Sequence, residues 1–204
     1  MKNKRSFSTN KAIFLDRDGI IIKMHYDENF GIIDTPLAVK EIKFVPGIFG
    51  LLRHARKLGY LLILISNQPG VGIKKISLKR HNEIKNYVTQ TLKKQGIVLN
   101  GEYYCMHHPY AQIPKYKQEC ECRKPKVGLF VQASKKLNID LKQSWMIGDG
   151  VNDIIAGYRA GCKTVLVGNI LEAEYLRILE EKLGNIKPNF LVKNIKEIEN
   201  IITK

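Results

Sequence analysis

The chain has no apolar run near the roughly 18 residues that a membrane-spanning helix needs. Its longest, Tyr60 to Ile65, has the length of a strand. The basic start, MKNKRSFSTNK, leads into no apolar signal core, so a cytoplasmic location is expected. Acidic residues are scarce, 19 against 34 Lys and Arg, giving a formal charge of +15. Clustered on one face, that surplus would suit a nucleic-acid partner. It is scattered instead in pairs such as Lys74-Lys75, Lys93-Lys94 and Lys135-Lys136, and no basic stripe is interleaved with aromatics. No phosphate loop of the Gly-x₄-Gly-Lys-Ser/Thr kind occurs, since Gly70-Val71-Gly72-Ile73-Lys74 does not fit it. Neither a nucleic acid nor a membrane is expected as partner, and a monomer is expected. With no internal repeat and no low-complexity linker, residues 1–204 read as one domain behind a polar tail at 1–11.

What is present is an ordinary globular composition, 44% hydrophobic and 26% charged. Apolar strands are expected at Ala12 to Leu15, Leu61 to Ile65, Ser144 to Ile147 and Thr164 to Val167, with a shorter one near Phe190. Between them, helical spacing is expected over Pro46 to Leu58, Ser77 to Gln95, Leu129 to Leu137, Val151 to Ala160 and Leu171 to Leu183, then a terminal helix. Residues 101–124 carry Cys, His and Pro and read as an irregular loop. Strands alternating with helices predict an α/β fold, a doubly wound parallel sheet covered on both faces. Ligands of such sheets bind beyond the carboxyl ends of the strands.

Three of those ends carry polar residues: Asp16-Arg17-Asp18-Gly19, Ser66-Asn67 and Gly148-Asp149-Gly150. Residues i and i+2 of an extended chain share a face, so Asp16 and Asp18 are expected to meet in one site while Arg17 points elsewhere. Two close carboxylates repel, which makes a divalent cation their natural third party. One can then serve as nucleophile and the other as acid and base. Lys124, in Cys-Arg-Lys-Pro, leaves an ammonium free to meet an anion. Asp153 lies one helical turn beyond Asp149.

The ordered set Asp16-x-Asp18-Gly19, Ser66-Asn67, Lys124 and Gly148-Asp149-x₃-Asp153 resembles the haloacid dehalogenase superfamily of phosphatases over residues 12–167. The resemblance implies a Rossmann-like sheet and an aspartyl-phosphate on Asp16, with Asp18 protonating the leaving group and later activating water. It implies that Ser66 and Lys124 stabilise the transferring phosphoryl group. Mg²⁺ would be held by Asp16, Asp149 and the main-chain carbonyl of Asp18. Only 28 residues separate Asp18 from Gly47 and 57 separate Ser66 from Lys124, so no large cap domain is expected.

The four cysteines add a second chemistry. Cys105-x-His107 and Cys120-x-Cys122 form two tight pairs of soft or borderline ligands, and a Zn²⁺ staple is the reading, with His108 as rival imidazole. Disulfides are disfavoured in a cytosolic chain. Cys162 reads as a small buried residue.

With Phe14-Leu15-Asp16-Arg17-Asp18-Gly19, Ser66-Asn67-Gln68-Pro69-Gly70 and Cys120-x-Cys122-Arg123-Lys124-Pro125, this loop is similar to the D-glycero-D-manno-heptose-1,7-bisphosphate 7-phosphatases and their histidinol-phosphatase cousins. The resemblance implies a phosphorylated sugar as substrate, with contacts from His25, Tyr26, Asn67, Gln68 and Arg123. Pro69 stands where histidinol phosphatases carry an acidic residue, and Gly150 where a lysine is frequent. Histidinol phosphate and nucleic-acid 3′-phosphates are the alternative substrates.

Overall fold

A computed structural model of the chain describes residues 9–28, 31–168 and 181–203. Six parallel strands form one sheet: β1 (Ala12–Leu15), β4 (Leu61–Asn67), β5 (Gly101–Cys105), β6 (Trp145–Gly148), β7 (Lys163–Val167) and β8 (Phe190–Val192), in the order β5-β4-β1-β6-β7-β8. Among the described residues, α1 (Ile48–Lys57), α2 (Leu78–Lys94), α3 (Gly128–Leu137) and α4 (Val151–Ala160) flank it. The sheet is apolar on both sides because successive side chains point to opposite faces. Ile13, Leu15, Leu62, Leu64, Trp145 and Ile147 pack with α1, α2 and the terminal turn. Ala12, Phe14, Ile63, Ile65 and Met146 pack with α3 and Ala156 of α4. The Phe14 and Phe130 rings meet there at 4.7 Å.

Local chemistry sets the helix ends. Ser77 caps α2 by accepting a hydrogen bond from the Arg80 N–H at 3.1 Å. Gly59 and Gly161 close α1 and α4 at φ +82° and +87°, where a side chain would be strained.

Three expectations need correction. Residues 101–124 are not loop throughout, because Gly101–Cys105 pairs with β4, Asn67 opposite Cys105. Its Gly-Glu-Tyr-Tyr-Cys run lacks the apolar pattern of the other strands since it is an edge strand. A two-stranded ribbon, β2 (His25–Asp27) against β3 (Ile32–Asp34), occupies the stretch after Asp18. The chain's end is a 3-10 turn over Ile195–Asn200, not a full helix. Of the helix expected over Leu171 to Leu183, positions 171–180 lie outside the described residues. Among the described residues no separate cap domain occurs, and no helix is long and apolar enough to cross a membrane.

Candidate active site

The three central strands deliver their polar ends side by side. Asp16 follows β1 and donates its N–H to the Ile147 carbonyl of β6 at 3.1 Å. Ser66 and Asn67 end β4, and Asp149 follows β6. Gly19 turns the chain at φ +80°, and a Cβ built there would fall on the Asp149 carboxylate. Gly19→Ala is therefore expected to cost about 1–2 kcal/mol of stability from the left-handed backbone alone. It should also displace Asp149 and raise the divalent-cation concentration needed for half-maximal activity. An unchanged melting temperature with an unchanged cation requirement would contradict this placement of Gly19 against Asp149.

Lys124 is the buried cation of the site. Its main chain is pinned by Asn67, which donates to the Lys124 carbonyl at 2.9 Å and accepts from the Lys124 N–H at 3.0 Å. Its Nζ lies 2.5 Å from Asp153 Oδ1, 3.1 Å from Asp16 Oδ1 and 3.1 Å from the Ile65 carbonyl. Burial works against the ammonium, but the carboxylates of Asp153 and Asp16 outweigh it and hold its pKa above the ordinary lysine value. Asp153 also accepts from the Gly150 N–H at 3.1 Å, so it braces the helix start and the lysine together.

Asp16, Asp149 and Asp153 each place a carboxylate oxygen within 4.8 Å of the others. Burial first, then the charges of Asp16 and Asp153, push Asp149 up to about 8. Burial likewise raises Asp16 to about 6, against the opposing pull of Lys124. Carboxylates crowded until they resist ionisation are what a hard divalent cation relieves, so the donor set fits Mg²⁺. Asp18 is absent from this carboxylate cluster.

The Asp18 side chain turns instead into a network that overturns the expectation that Arg17 points elsewhere, since Arg17 lines the same cavity. Arg17 is 1% exposed and doubles back onto its neighbour. Its Nε and Nη2 reach Asp18 Oδ1 at 3.2 Å each, and Nη2 reaches Oδ2 at 3.0 Å. A buried guanidinium needs an anion, and the adjacent carboxylate supplies one. Gln68 Nε2 donates to Asp18 Oδ2 at 2.6 Å and to Ser66 Oγ at 3.1 Å, while its Oε1 accepts from Arg17 Nη2 at 2.8 Å. Thr35 Oγ1, which no motif singled out, donates to Asp18 Oδ1 at 2.7 Å.

Arg17, Asp18, Thr35 and Gln68 line a cavity of about 320 Å³ that also includes Met24, Asp34, His81 and Asp149. His81 is buried with its Nε2 unpaired. Desolvation, then the charges of Arg17 and Lys85, lower it to about 4, so its imidazole is neutral at physiological pH. The expected pair His25 and Tyr26 is not brought to this cavity. Adjacent residues of a strand face opposite ways. His25 lines a neighbouring hollow behind Asp34 and Thr35, and Tyr26 is 56% exposed.

A second cavity, of about 500 Å³, opens on the other side of Asp16 and is lined by Arg123, Lys124, Asn152 and Lys182. Lys182 was not singled out, and it adds a cation to the lining of this cavity. The Arg123 Nη1 donates to the His107 carbonyl at 3.3 Å.

Directly behind it, Cys105, His107, Cys120 and Cys122 gather their ligand atoms within 4.8 Å of one another. Cys122 Sγ lies 3.1 Å from Cys105 Sγ, 3.2 Å from Cys120 Sγ and 3.3 Å from His107 Nδ1. His108 turns away and accepts the Tyr110 N–H at 3.2 Å. Burial and the two neighbouring thiols hold the Cys122 pKa above the usual value, and a soft cation would reverse that. Three thiols and one imidazole converging on a point fit Zn²⁺.

The HAD-hydrolase-like family model matches residues 121–198. Over 186 residues the chain is 39% identical to the D-glycero-beta-D-manno-heptose-1,7-bisphosphate 7-phosphatase of Haemophilus ducreyi, covering 89% of this chain and 94% of the relative. The Helicobacter pylori protein of the same name is 42% identical over 162 residues, 78% of this chain and 84% of the relative. Among solved structures, the D,D-heptose 1,7-bisphosphate phosphatase of B. bronchiseptica, crystallised with magnesium and phosphate, matches with a TM-score of 0.74. That match covers 95% of this chain and 98% of the other at 22% identity, and it shows a shared fold.

Proposed function

The chain belongs to the D-glycero-β-D-manno-heptose-1,7-bisphosphate 7-phosphatase family of HAD-like hydrolases, and from that premise we propose a Mg²⁺-dependent phosphatase that removes the 7-phosphate of this sugar bisphosphate. The observation that carries the reading is the meeting of Asp16 and Asp149, at the ends of adjacent strands, with the buried Lys124 ammonium from the turn before α3, beside Asp18 and Ser66.

Asp16 is the nucleophile. Its carboxylate attacks phosphorus, the P–O bond to C7 breaks, and an aspartyl-phosphate forms on Asp16. Asp18 gives a proton to the departing C7 oxygen. It then takes one from the water that attacks the aspartyl-phosphate, releasing inorganic phosphate and restoring Asp16. Lys124, with Nζ 3.1 Å from Asp16, neutralises charge as it builds on the phosphoryl oxygens, and the Ser66 hydroxyl and the main chain at Asn67 orient them. A Mg²⁺ ion held by Asp16, Asp149 and the Asp18 carbonyl would supply the remaining charge neutralisation. The Cys105, His107, Cys120 and Cys122 shell would hold Zn²⁺ in a structural role, since four protein ligands leave no position for an activated water. A Cys₃His cluster suited to zinc and the scattered surface charge support a cytoplasmic protein acting on a small phosphorylated sugar.

Arg123 is assigned to the remote part of the substrate, because it lines the second cavity together with Asp16. Its planar fork suits a phosphate or a pair of hydroxyls. Arg123→Ala should lower kcat/KM on the heptose bisphosphate by about 10–100-fold, the equivalent of one lost charge-assisted hydrogen bond. On 4-nitrophenyl phosphate, which has no remote group, the loss should stay within about three-fold. Equal losses on both substrates would remove Arg123 from substrate recognition.

A further inference from the structure

The Asp18 carboxylate is held by three side chains from separate parts of the chain, and one of them lies outside every motif. Arg17 comes from the same turn and can follow any rotation of its neighbour. Gln68, beyond β4, grips Oδ2 at 2.6 Å. Thr35, beyond the β2–β3 ribbon, donates to Oδ1 at 2.7 Å and accepts from Arg17 Nη2 at 3.1 Å. A carboxylate gripped at one oxygen can still pivot. Gripped at both, by elements that do not move with it, its plane is set.

Thr35 is itself held in place. Its N–H donates to Asp34 Oδ1 at 2.7 Å, and the other Asp34 oxygen is paired with Lys75 Nζ. The chain Lys75–Asp34–Thr35–Asp18 thus runs along one wall of the cavity, and all four residues line it. Arg17 Nη1, buried and unpaired, offers a competing donor to an Asp18 carboxylate released from Thr35.

We propose that Thr35 is a positioning residue for the phosphatase reaction, orienting the Asp18 carboxylate through its hydroxyl. This rests on the reading of Asp18 as the group that serves the leaving oxygen and the attacking water. Thr35→Val removes the hydroxyl and keeps the shape, whereas Thr35→Ser keeps the hydroxyl.

The test uses 4-nitrophenyl phosphate, because nitrophenolate departs without a proton while the second step still needs an oriented Asp18. In Thr35→Val with Mg²⁺, rapid mixing should show a nitrophenolate burst followed by slow steady turnover. The loss in steady turnover should exceed the loss in burst rate by about ten-fold or more, within the range general acid–base groups supply. KM should change little, and Thr35→Ser should restore most of the turnover. If Thr35→Val does not fold, Thr35→Ala against Thr35→Ser carries the same comparison.

Equal losses in burst and turnover, a change confined to KM, or no rescue by serine would overturn the proposal. A wild-type protein that turns over 4-nitrophenyl phosphate but not the heptose bisphosphate would overturn only the substrate, leaving Thr35 to be judged on its own result.

Discussion

Asp16→Asn is expected to stop phosphate release while leaving the protein folded. The substitution keeps the size of the side chain and replaces the carboxylate proposed as nucleophile with an amide, a far poorer nucleophile. Loss of a covalent nucleophile of this kind costs on the order of 10⁴-fold or more in kcat. Lys124 does not lose its footing, because Asp153 and the Ile65 carbonyl still hold its Nζ at 2.5 and 3.1 Å.

Stability should move in the opposite direction from activity. Burial and the neighbouring carboxylates raise Asp16 from 3.8 to about 6, so the folded state holds its proton more tightly than the unfolded chain. A raised carboxyl pKa makes stability fall as pH rises between those two values, and the penalty is complete above the higher one. Without Mg²⁺, Asp16→Asn should therefore melt higher than wild type at pH 7.5, and its advantage should shrink toward pH 4. Calorimetry at the two pH values checks this. Turnover within ten-fold of wild type would remove Asp16 as nucleophile.

The second large effect concerns the metal staple. Protein purified without chelator is expected to carry one zinc per chain, and Cys122→Ser is expected to lose it. Structural zinc is worth about 10–16 kcal/mol in small domains that fold only around it. Here a six-stranded sheet stands beside the site, so only part of that is at stake. Each kcal/mol lost lowers the melting temperature by about 2–4 °C in a chain of this size, and a drop of roughly 10 °C is expected.

Activity should fall too, because the staple holds both sides of the reaction centre. The Cys105 carbonyl accepts the Gln68 N–H at 2.7 Å, and Lys124 follows Cys122 by two residues. His107→Ala should lose the metal, whereas His108→Ala should keep it. Elemental analysis finding no zinc, or zinc lost only in the His108 variant, would refute the ligand set.

How much of this was legible beforehand depended on how local the signal was. β1, β4 and β6 announce themselves because both of their faces are buried, which writes an unbroken apolar run into the chain. Their polar ends follow from parallel topology alone, and so do Asp16, Ser66 and Asp149. Lys124 was legible only with its motif, since nothing local distinguishes it from the other lysines. β5 escaped because an edge strand can carry Glu102 and two tyrosines. The β2–β3 ribbon escaped because its side chains are largely exposed and it is tied down by the Asp34–Lys75 pair along one wall of the cavity and not by an apolar face. The inward fold of Arg17 contradicts simple alternation, for the cost of burying an unpaired charge outweighs the direction in which the strand starts its side chain. Thr35, His81 and Lys182 have no sequence signal at all. They reach the cavities from segments distant in the chain.

The most direct test of the central claim follows the two phosphates separately. Purified protein with Mg²⁺ and D-glycero-β-D-manno-heptose 1,7-bisphosphate can be watched by phosphorus NMR, alongside histidinol phosphate and a 3′-phosphorylated oligonucleotide. The account predicts that the 7-phosphate signal disappears, inorganic phosphate rises by one equivalent, and the 1-phosphate persists, with this substrate consumed fastest of the three. Loss of the 1-phosphate, or faster release from histidinol phosphate or the oligonucleotide, would contradict it.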